Sequence, residues 1–297
     1  MADMSEGGAL INVGELSKPA TTLIEKISNA VGGLCKPWQI RRVADAEADA
    51  QKIQAAAKIE VTDLQRRAMM RFIQEEAAHQ ANMENITRLA LPDVLNDAKP
   101  EQVQNDWITN FFDKCRLISD EEMQRIWARV LVGEANNPGN YSKRTVNLLS
   151  SLDKSDAELF RDVCSYGWFF GRPDGVVPLI YDVRADIYVA GGLTFTRLAH
   201  LDDVGLIRHE SVAGFARKEI AAEGTVFYFG MPVHLVFPQP AGNKLPLGNV
   251  MLSKAGQELA RICSPAARPG FMDYVVERWR KQGLKVTIQT GDAKRVS

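Results

Sequence analysis

The chain has 297 residues, 45% hydrophobic and 25% charged, enough for one large core or two ordinary ones. The net charge of -1 excludes the overall basic excess typical of nucleic-acid-binding proteins, although a local basic patch stays open. The four cysteines form no CxxC pair, which excludes the usual spacing of a structural zinc site and indicates reduced thiols in the cytoplasm. There is no secretory signal pattern and no apolar stretch of roughly 18 residues, so we expect no transmembrane span.

Changes in composition along the chain predict four segments. Residues 1–16 are expected to form a flexible N-terminus, and residues 17–90 an amphipathic and long helical segment. Residues 91–170 are expected to form a helical bundle, and residues 171–297 a winged-helix-like α/β module. The predicted fold class is therefore α+β and mainly α, with a long N-terminal helix, a central helical bundle and a C-terminal winged-helix-like module.

A short amphipathic helix is predicted after Ser17, which can cap its first turn. Its apolar residues recur at helical spacing, from Leu23 to Leu34. A helix of this kind usually docks on an apolar surface of its own protein. The alternative is peripheral membrane contact through residues 17–42, since basic residues flank the helix and Trp38 could lie at an interface.

A long helix is predicted from about residue 37 to residue 89, because this stretch has no internal proline or glycine and is rich in strong helix formers. A helix of this length has to bury its apolar positions against a partner. We therefore predict a homo-oligomer or another protein partner. The competing interpretation is a helical hairpin that folds back near Thr62 and Asp63. The candidate self-association residues are Leu64, Met69, Phe72 and Ile73.

The middle of the chain is predicted to be the stability core. Capping boxes are expected at Ser119 with Glu122 and at Ser155 with Glu158, each starting a new helix. The large apolar residues of the preceding and following helices recur at helical spacing. We expect the following side chains to be buried: Trp107, Phe111, Trp127 and Leu131.

The C-terminal segment changes to strands and short helices. A helix over residues 194–204 is expected to end at Gly205 and to be followed by a short strand. The segments 225–237 and 248–253 are predicted to be the two arms of a hairpin. This order suggests a winged helix, in which the second helix enters the major groove of DNA. The candidate nucleic-acid contacts are Arg197, His200 and Arg208, but Asp202 and Asp203 on the same helix oppose phosphate binding.

Signatures of catalysis are missing from the sequence. It contains no GxSxG, HExxH, P-loop or GxGxxG motif, so no catalytic or cofactor-binding residue is assigned and no enzyme is predicted. A single group of histidines and carboxylates, from His200 to Glu210, could bind a metal ion. Adjacent carboxylates such as Asp202 and Asp203 point apart on a helix, so no metal ligand and no cofactor is assigned.

One stretch of the chain resembles a bacterial family of unknown function. In that family a D-E-E-x-Q-x-x-W-A-x-x-L helix precedes a Pro/Gly loop and an S-x-R segment. The matching residues are Asp120, Glu121, Glu122, Gln124, Trp127, Ala128, Leu131, Ser142, Arg144 and Leu149.

The chain also resembles, more distantly, the Abi-alpha group of abortive-infection proteins. The resemblance rests on an L-x-x-L-x-x-x-G-L-I segment and on a late L-T-x-x-G segment, where Ser253 replaces the usual threonine. The matching residues are Leu198, Leu201, Gly205, Leu206, Ile207, Leu252, Ser253 and Gly256.

These patterns consist mostly of core and turn residues, so they support a shared fold better than a shared activity. With the resemblance, the leading hypothesis is a non-enzymatic interaction protein of bacterial antiviral defence that acts by oligomerisation and by partner or membrane-surface contact. The alternative is a DNA-binding regulator that uses the C-terminal module.

Overall fold

The computed structural model describes residues 16–31, 62–171 and 175–289. The chain divides into two compact units, Met1–Ser150 and Ser151–Ser297. The division falls within the segment 91–170 that the sequence suggests as one bundle, because the helix that starts at Lys154 packs against elements of the second unit. The predicted flexible N-terminus and most of the predicted helix before Thr62 lie outside the described residues.

The described part of the first unit is helical. Two short 3-10 turns, Leu91–Asp93 and Pro100–Gln102, connect its longer elements. The α-helices are α1 (Lys18–Val31), α2 (Asp63–Ala90), α3 (Asn105–Cys115), α4 (Glu121–Asn136) and α5 (Lys143–Leu149).

Helix α1 docks on its own unit. Its side chains Leu23, Ile24 and Ile27 are buried, and it packs against α3 and the turn at Pro100–Gln102. The hydroxyl of Thr109 on α3 donates a hydrogen bond to the carbonyl of Ala30, 3.3 Å away. The apolar face of α1 is therefore occupied within the unit and is not free for a membrane surface. Residues 32–42 lie outside the described residues.

The aromatic core of the first unit lies between α3 and α4. The four side chains expected to be buried are all buried, which confirms that prediction. The Phe111 ring lies 5.1 Å from the rings of both Trp107 and Trp127. The predicted cap of α4 is wrong by one residue, because the Asp120 carboxylate accepts the hydrogen bond from the amide of Met123. A carboxylate at this position also interacts favourably with the positive N-terminal end of the helix dipole.

The second unit combines short helices with three small sheets. Its helices are α6 (Lys154–Cys164), α7 (Asp186–Val189), α8 (Phe195–Val204), α9 (Lys254–Ala260) and α10 (Phe271–Lys281). Its strands are β1 (Gly167–Phe169), β2 (Val176–Pro178), β3 (Ile207–His209), β4 (Phe215–Ile220), β5 (Glu223–Tyr228), β6 (Met231–Val236), β7 (Asn243–Gly248), β8 (Val250–Leu252) and β9 (Lys285–Ile288).

The largest sheet has the strand order β2-β1-β5-β6-β9 and is antiparallel throughout. Its inner face packs against α10, where Trp168 lies 4.9 Å from Trp279, ring centre to ring centre. Helix α6 is capped by Asp153 with Asp156, not by the predicted pair Ser155 and Glu158. Among the described helices, none is both long and apolar enough to cross a membrane.

The predicted hairpin is wrong in its pairing. Strands β5 and β6 pair with each other across a tight turn at Phe229 and Gly230, both of which have positive φ angles. Strand β8 pairs with β3, and β7 pairs with β4. The sequence pattern does not indicate this turn, because phenylalanine is rare at the first central position of such turns. Helix α8 does end at Gly205 as predicted, with φ 92° in the left-handed region. The winged-helix assignment stays a prediction.

Candidate interaction surfaces

The N-terminal half of α2 is not covered by any of the residues that the structure describes. Every residue from Asp63 to Ala78 is exposed. The four predicted self-association side chains are among them, with Leu64 69%, Met69 46%, Phe72 62% and Ile73 47% exposed. Contiguous apolar side chains on a surface usually mark a contact with another molecule. The structure thus places the predicted residues on one exposed helix.

The apolar side chains on this half of α2 cover about half of the circumference of the helix, and Glu75 and Glu76 lie among them. Leu64, Ala68 and Phe72 follow each other at four-residue intervals, and Met69 and Ile73 lie beside them. These five residues are called the apolar face below. Two ion pairs join charged side chains along the helix, between Arg66 and Asp63 and between Arg71 and Glu75, both at 3.1 Å. Such exposed pairs add only a few tenths of a kcal/mol each.

The start of α2 is well defined. The Thr62 hydroxyl accepts a hydrogen bond from the amide of Gln65, and the Gln65 side chain accepts one from the amide of Thr62 at 2.9 Å. This capping box fixes the first turn. The helix thus begins where the competing interpretation places a break, and the residues just before Thr62 lie outside the described ones.

The C-terminal half of α2 is anchored on α4. Its buried residues include Met83, Ile86 and Ala90, and α2 and α4 pack against each other along this half. The buried Gln124 on α4 donates to the carbonyl of Ile118 at 2.8 Å and to the side chain of Asn82 at 3.2 Å. The sequence pattern of the resemblance contains this glutamine, but its bonding partners were not predicted.

The three candidate nucleic-acid contacts have different surroundings. Arg197 on α8 is exposed, but its guanidinium donates a hydrogen bond to the carbonyl of Gly192 at 2.7 Å. The Nε2 atom of His200 lies 2.7 Å from the Oδ1 atom of Asp156. Arg208 on β3 is exposed. Two of the three side chains therefore have partners within the second unit.

The group of histidines and carboxylates around α8 is not gathered around one point. His200 contacts Asp156, whereas the His209 ring lies 5.2 Å from the ring of Phe195. Partial burial lowers the pKa of His209, against the opposing effect of Asp202 and Glu210. Within the described ranges, no group of three or more His, Cys, Asp or Glu side chains could hold a metal ion.

A second apolar surface, which the sequence pattern does not predict, lies on the outer face of the largest sheet. Phe169 and Phe227 are directly opposite each other on β1 and β5, and both are exposed. With Phe229 they border a small cavity of about 250 Å³. Apolar residues occupy both faces of β5, so periodicity gave no indication which face is open. The remaining lining residues are Cys164, Gly167, Val176, Gly230, Ala260 and Pro265.

Three cysteines fall in the described ranges, and all three are free thiols. Burial raises the pKa of Cys115 and keeps its thiol protonated. A hydrogen bond with Cys263, together with burial, raises the pKa of Cys164. Protonated thiols are poor nucleophiles, so neither Cys115 nor Cys164 has the character of a reactive cysteine.

Comparison with known proteins gives one match. The family model described as "Protein of unknown function (DUF2806)" matches residues 66–276, which is more than half of the chain. The match covers most of α2 and extends into α10. No curated protein and no solved structure matches the chain. The chain belongs to the DUF2806 family.

Proposed function

We propose that this protein is a non-enzymatic interaction protein that works by self-association through the apolar face of α2. The observation that carries the proposal is the exposure of this face on a helix whose other half is firmly packed. Most helical stability in proteins comes from the packing of an apolar face, and residues 63–78 of α2 are all exposed. A second molecule against the face would supply that packing.

A role in bacterial antiviral defence follows from the resemblance to the Abi-alpha group of abortive-infection proteins. The residues that carry this resemblance, such as Leu198, Leu201 and Leu206, are buried in the second unit. They therefore bear on the fold of that unit, and the assignment to defence rests on the resemblance. Infection of cells with and without the gene tests it: unchanged phage yield and cell survival would count against a defence role.

Light scattering coupled to gel filtration tests the self-association. At tens of micromolar we expect a mass above the 32.9 kDa of one chain. The substitutions Leu64→Glu and Phe72→Glu together should release folded monomers, because a charge at each position cannot be buried in the interface. A wild-type protein that stays monomeric would contradict the proposal.

Met70 offers a matched control. It is 60% exposed, close to the 62% of Phe72, but it lies on the side of α2 away from the apolar face. Met70→Glu should therefore leave the mass unchanged while Phe72→Glu lowers it. If both substitutions lower the mass equally, the association does not use this face.

DNA binding through α8 is the competing function. Two of the three candidate DNA-contacting side chains, Arg197 and His200, are bonded within the second unit to Gly192 and Asp156. Their engagement is an argument against the DNA-binding alternative. A mobility-shift assay over a salt titration separates the two functions. Binding that Arg197→Ala and Arg208→Ala weaken, with a reduced salt dependence, would favour the DNA-binding alternative.

A further inference from the structure

We infer that the second copy binds the apolar face of α2 in the antiparallel direction, so that the two protomers form a two-fold symmetric pair. This inference rests on the proposed self-association and adds the identity and the orientation of the partner helix. In a pair whose two-fold axis is perpendicular to the helices, both copies use the same face and a residue before the midpoint contacts one after it. The order of the charges along α2 and the position of its anchored half both bear on the orientation.

The charges on the exposed half of α2 change sign along the helix. After Asp63, which pairs with Arg66, the basic residues Arg66, Arg67 and Arg71 come first, and Glu75 and Glu76 follow. All of these residues are exposed. An antiparallel copy places the arginines of each protomer near the glutamates of the other, whereas a parallel copy in register places arginine against arginine. Like charges across an interface are costly, and complementary charges fix the register.

The anchored half of α2 favours the same orientation. From Met83 to Ala90 the helix is packed on α4, so the rest of the first unit lies at this end. Two antiparallel copies that overlap over residues 63–78 hold these packed ends apart. Two parallel copies would bring both packed ends to the same place. The helix dipoles also oppose each other favourably only in the antiparallel pair.

The overlap is short, which sets the conditions of the experiment. Residues 63–78 span about 24 Å at 1.5 Å per residue. An interface built from this stretch is small compared with the usual standard of about 1,600 Å² of buried surface. Association should therefore be measured from about 1 to several hundred micromolar protein, at low and at high salt.

Three full-length proteins test the orientation. In the half-reversed variant, Arg66→Glu and Arg71→Glu leave Arg67 as the one basic residue between positions 63 and 78, and we expect its self-association to weaken about tenfold or more. The swapped variant adds Glu75→Arg and Glu76→Arg. It should regain the wild-type affinity, because its charges again alternate between the two ends. The swap also retains an oppositely charged pair at positions 71 and 75.

Mixing the wild type with the swapped variant distinguishes the two orientations. An antiparallel heterodimer would oppose arginine to arginine and glutamate to glutamate, so native mass spectrometry of an equal mixture should show homodimers and few heterodimers. Abundant heterodimers would overturn the antiparallel arrangement, because parallel copies of these two proteins have complementary charges. The smaller swap of Arg71→Glu with Glu75→Arg repeats the test if the larger one disturbs the helix by circular dichroism.

Different results would contradict the antiparallel orientation and the proposed self-association. A wild type that remains monomeric, or a dimer unaffected by Phe72→Glu, contradicts the use of the face and the orientation together. A dimer that Phe72→Glu dissociates, but that mixes freely with the swapped variant, contradicts only the orientation.

Discussion

His200 and Asp156 connect two helices of the second unit: the Nε2 atom of His200 on α8 lies 2.7 Å from the Oδ1 atom of Asp156 in the first turn of α6. The other oxygen of the same carboxylate accepts a hydrogen bond from the amide of Asp153 at 3.0 Å. Asp156 is buried, whereas the His200 side chain is 52% exposed. One carboxylate thus caps α6 and holds α8 at the same time.

Asp156→Ala removes both of these interactions. We expect the free energy of unfolding to fall by about 1–2 kcal/mol, the usual cost of losing a helix cap. His200→Ala should cost less, because it leaves the cap intact and removes a half-exposed ring. Urea denaturation of the two variants measures the difference. An equal cost for both would mean that the cap contributes little.

Phe229→Asn should stabilise the protein. The φ angles of Phe229 and Gly230 are 46° and 80°, so both central residues of the β5–β6 turn are in the left-handed region. Asparagine tolerates this region better than phenylalanine, and Asn-Gly is the preferred pair for such turns. The expected gain is about 0.5–1 kcal/mol, measured by thermal melting. A loss would show that the contact between the Phe229 and Tyr228 rings, at 4.8 Å, outweighs the backbone strain.

His209 should make the stability depend on pH. Partial burial lowers its pKa in the folded state, so the unfolded state binds a proton more readily. The stabilising contribution is therefore full above the unfolded pKa of about 6.5 and is lost as the pH falls below it. Denaturation between pH 8 and pH 5 should show a decline that is smaller in His209→Asn. An identical pH profile for the variant would contradict this.

Trp127→Ala should lower the free energy of unfolding of the first unit by about 3–5 kcal/mol, because it leaves a large cavity between α3 and α4. Trp127→Phe is the control. The indole nitrogen of Trp127 makes no hydrogen bond with any described residue, so phenylalanine loses only packing. A shift in melting temperature of less than a degree or two for Trp127→Ala would mean that this residue is not part of the stability core.

The sequence predicts helices better than strand pairs in this chain, for a physical reason. The burial of Trp107 and Trp127 follows from spacing within one helix, and the end of α8 at Gly205 follows from a local left-handed residue. The pairing of β7 with β4 depends on contacts between residues far apart in the chain, which periodicity does not contain. The predicted caps are wrong by one and two residues because serine and aspartate are both favoured N-caps, and spacing alone does not choose Asp120 over Ser119 or Asp153 over Ser155.

The interaction surface on α2 could also be predicted only in part from the sequence. Leu64 and Phe72 could be identified from the sequence as too apolar to remain without a partner, and both are exposed on the described helix. The polar anchor of α2 could not be identified, because Asn82 and Gln124 meet only when α2 and α4 pack together. The exposed pair Phe169 and Phe227 likewise depends on the register of β1 with β5.

Gln124→Leu tests whether this polar anchor holds α2 in place. The buried side chain of Gln124 accepts a hydrogen bond from Asn85 as well as donating to Asn82 and to the carbonyl of Ile118. Leucine has a similar size but satisfies none of these groups, and a buried polar group without a partner costs about 1–3 kcal/mol. The expected result is a loss of stability in that range, together with faster hydrogen exchange in the C-terminal half of α2.

The control for this change is Gln80→Leu on the same helix. The Gln80 side chain donates to Glu84 at 2.8 Å within α2 and is only partly buried, so its loss should cost less than about 0.5 kcal/mol. If Gln124→Leu is as mild as Gln80→Leu, the packing of Met83 and Ile86 is sufficient to anchor α2. If it releases α2 without unfolding α3 and α4, the polar contacts are the main attachment, and the helix that carries the apolar face can separate from the rest of its unit.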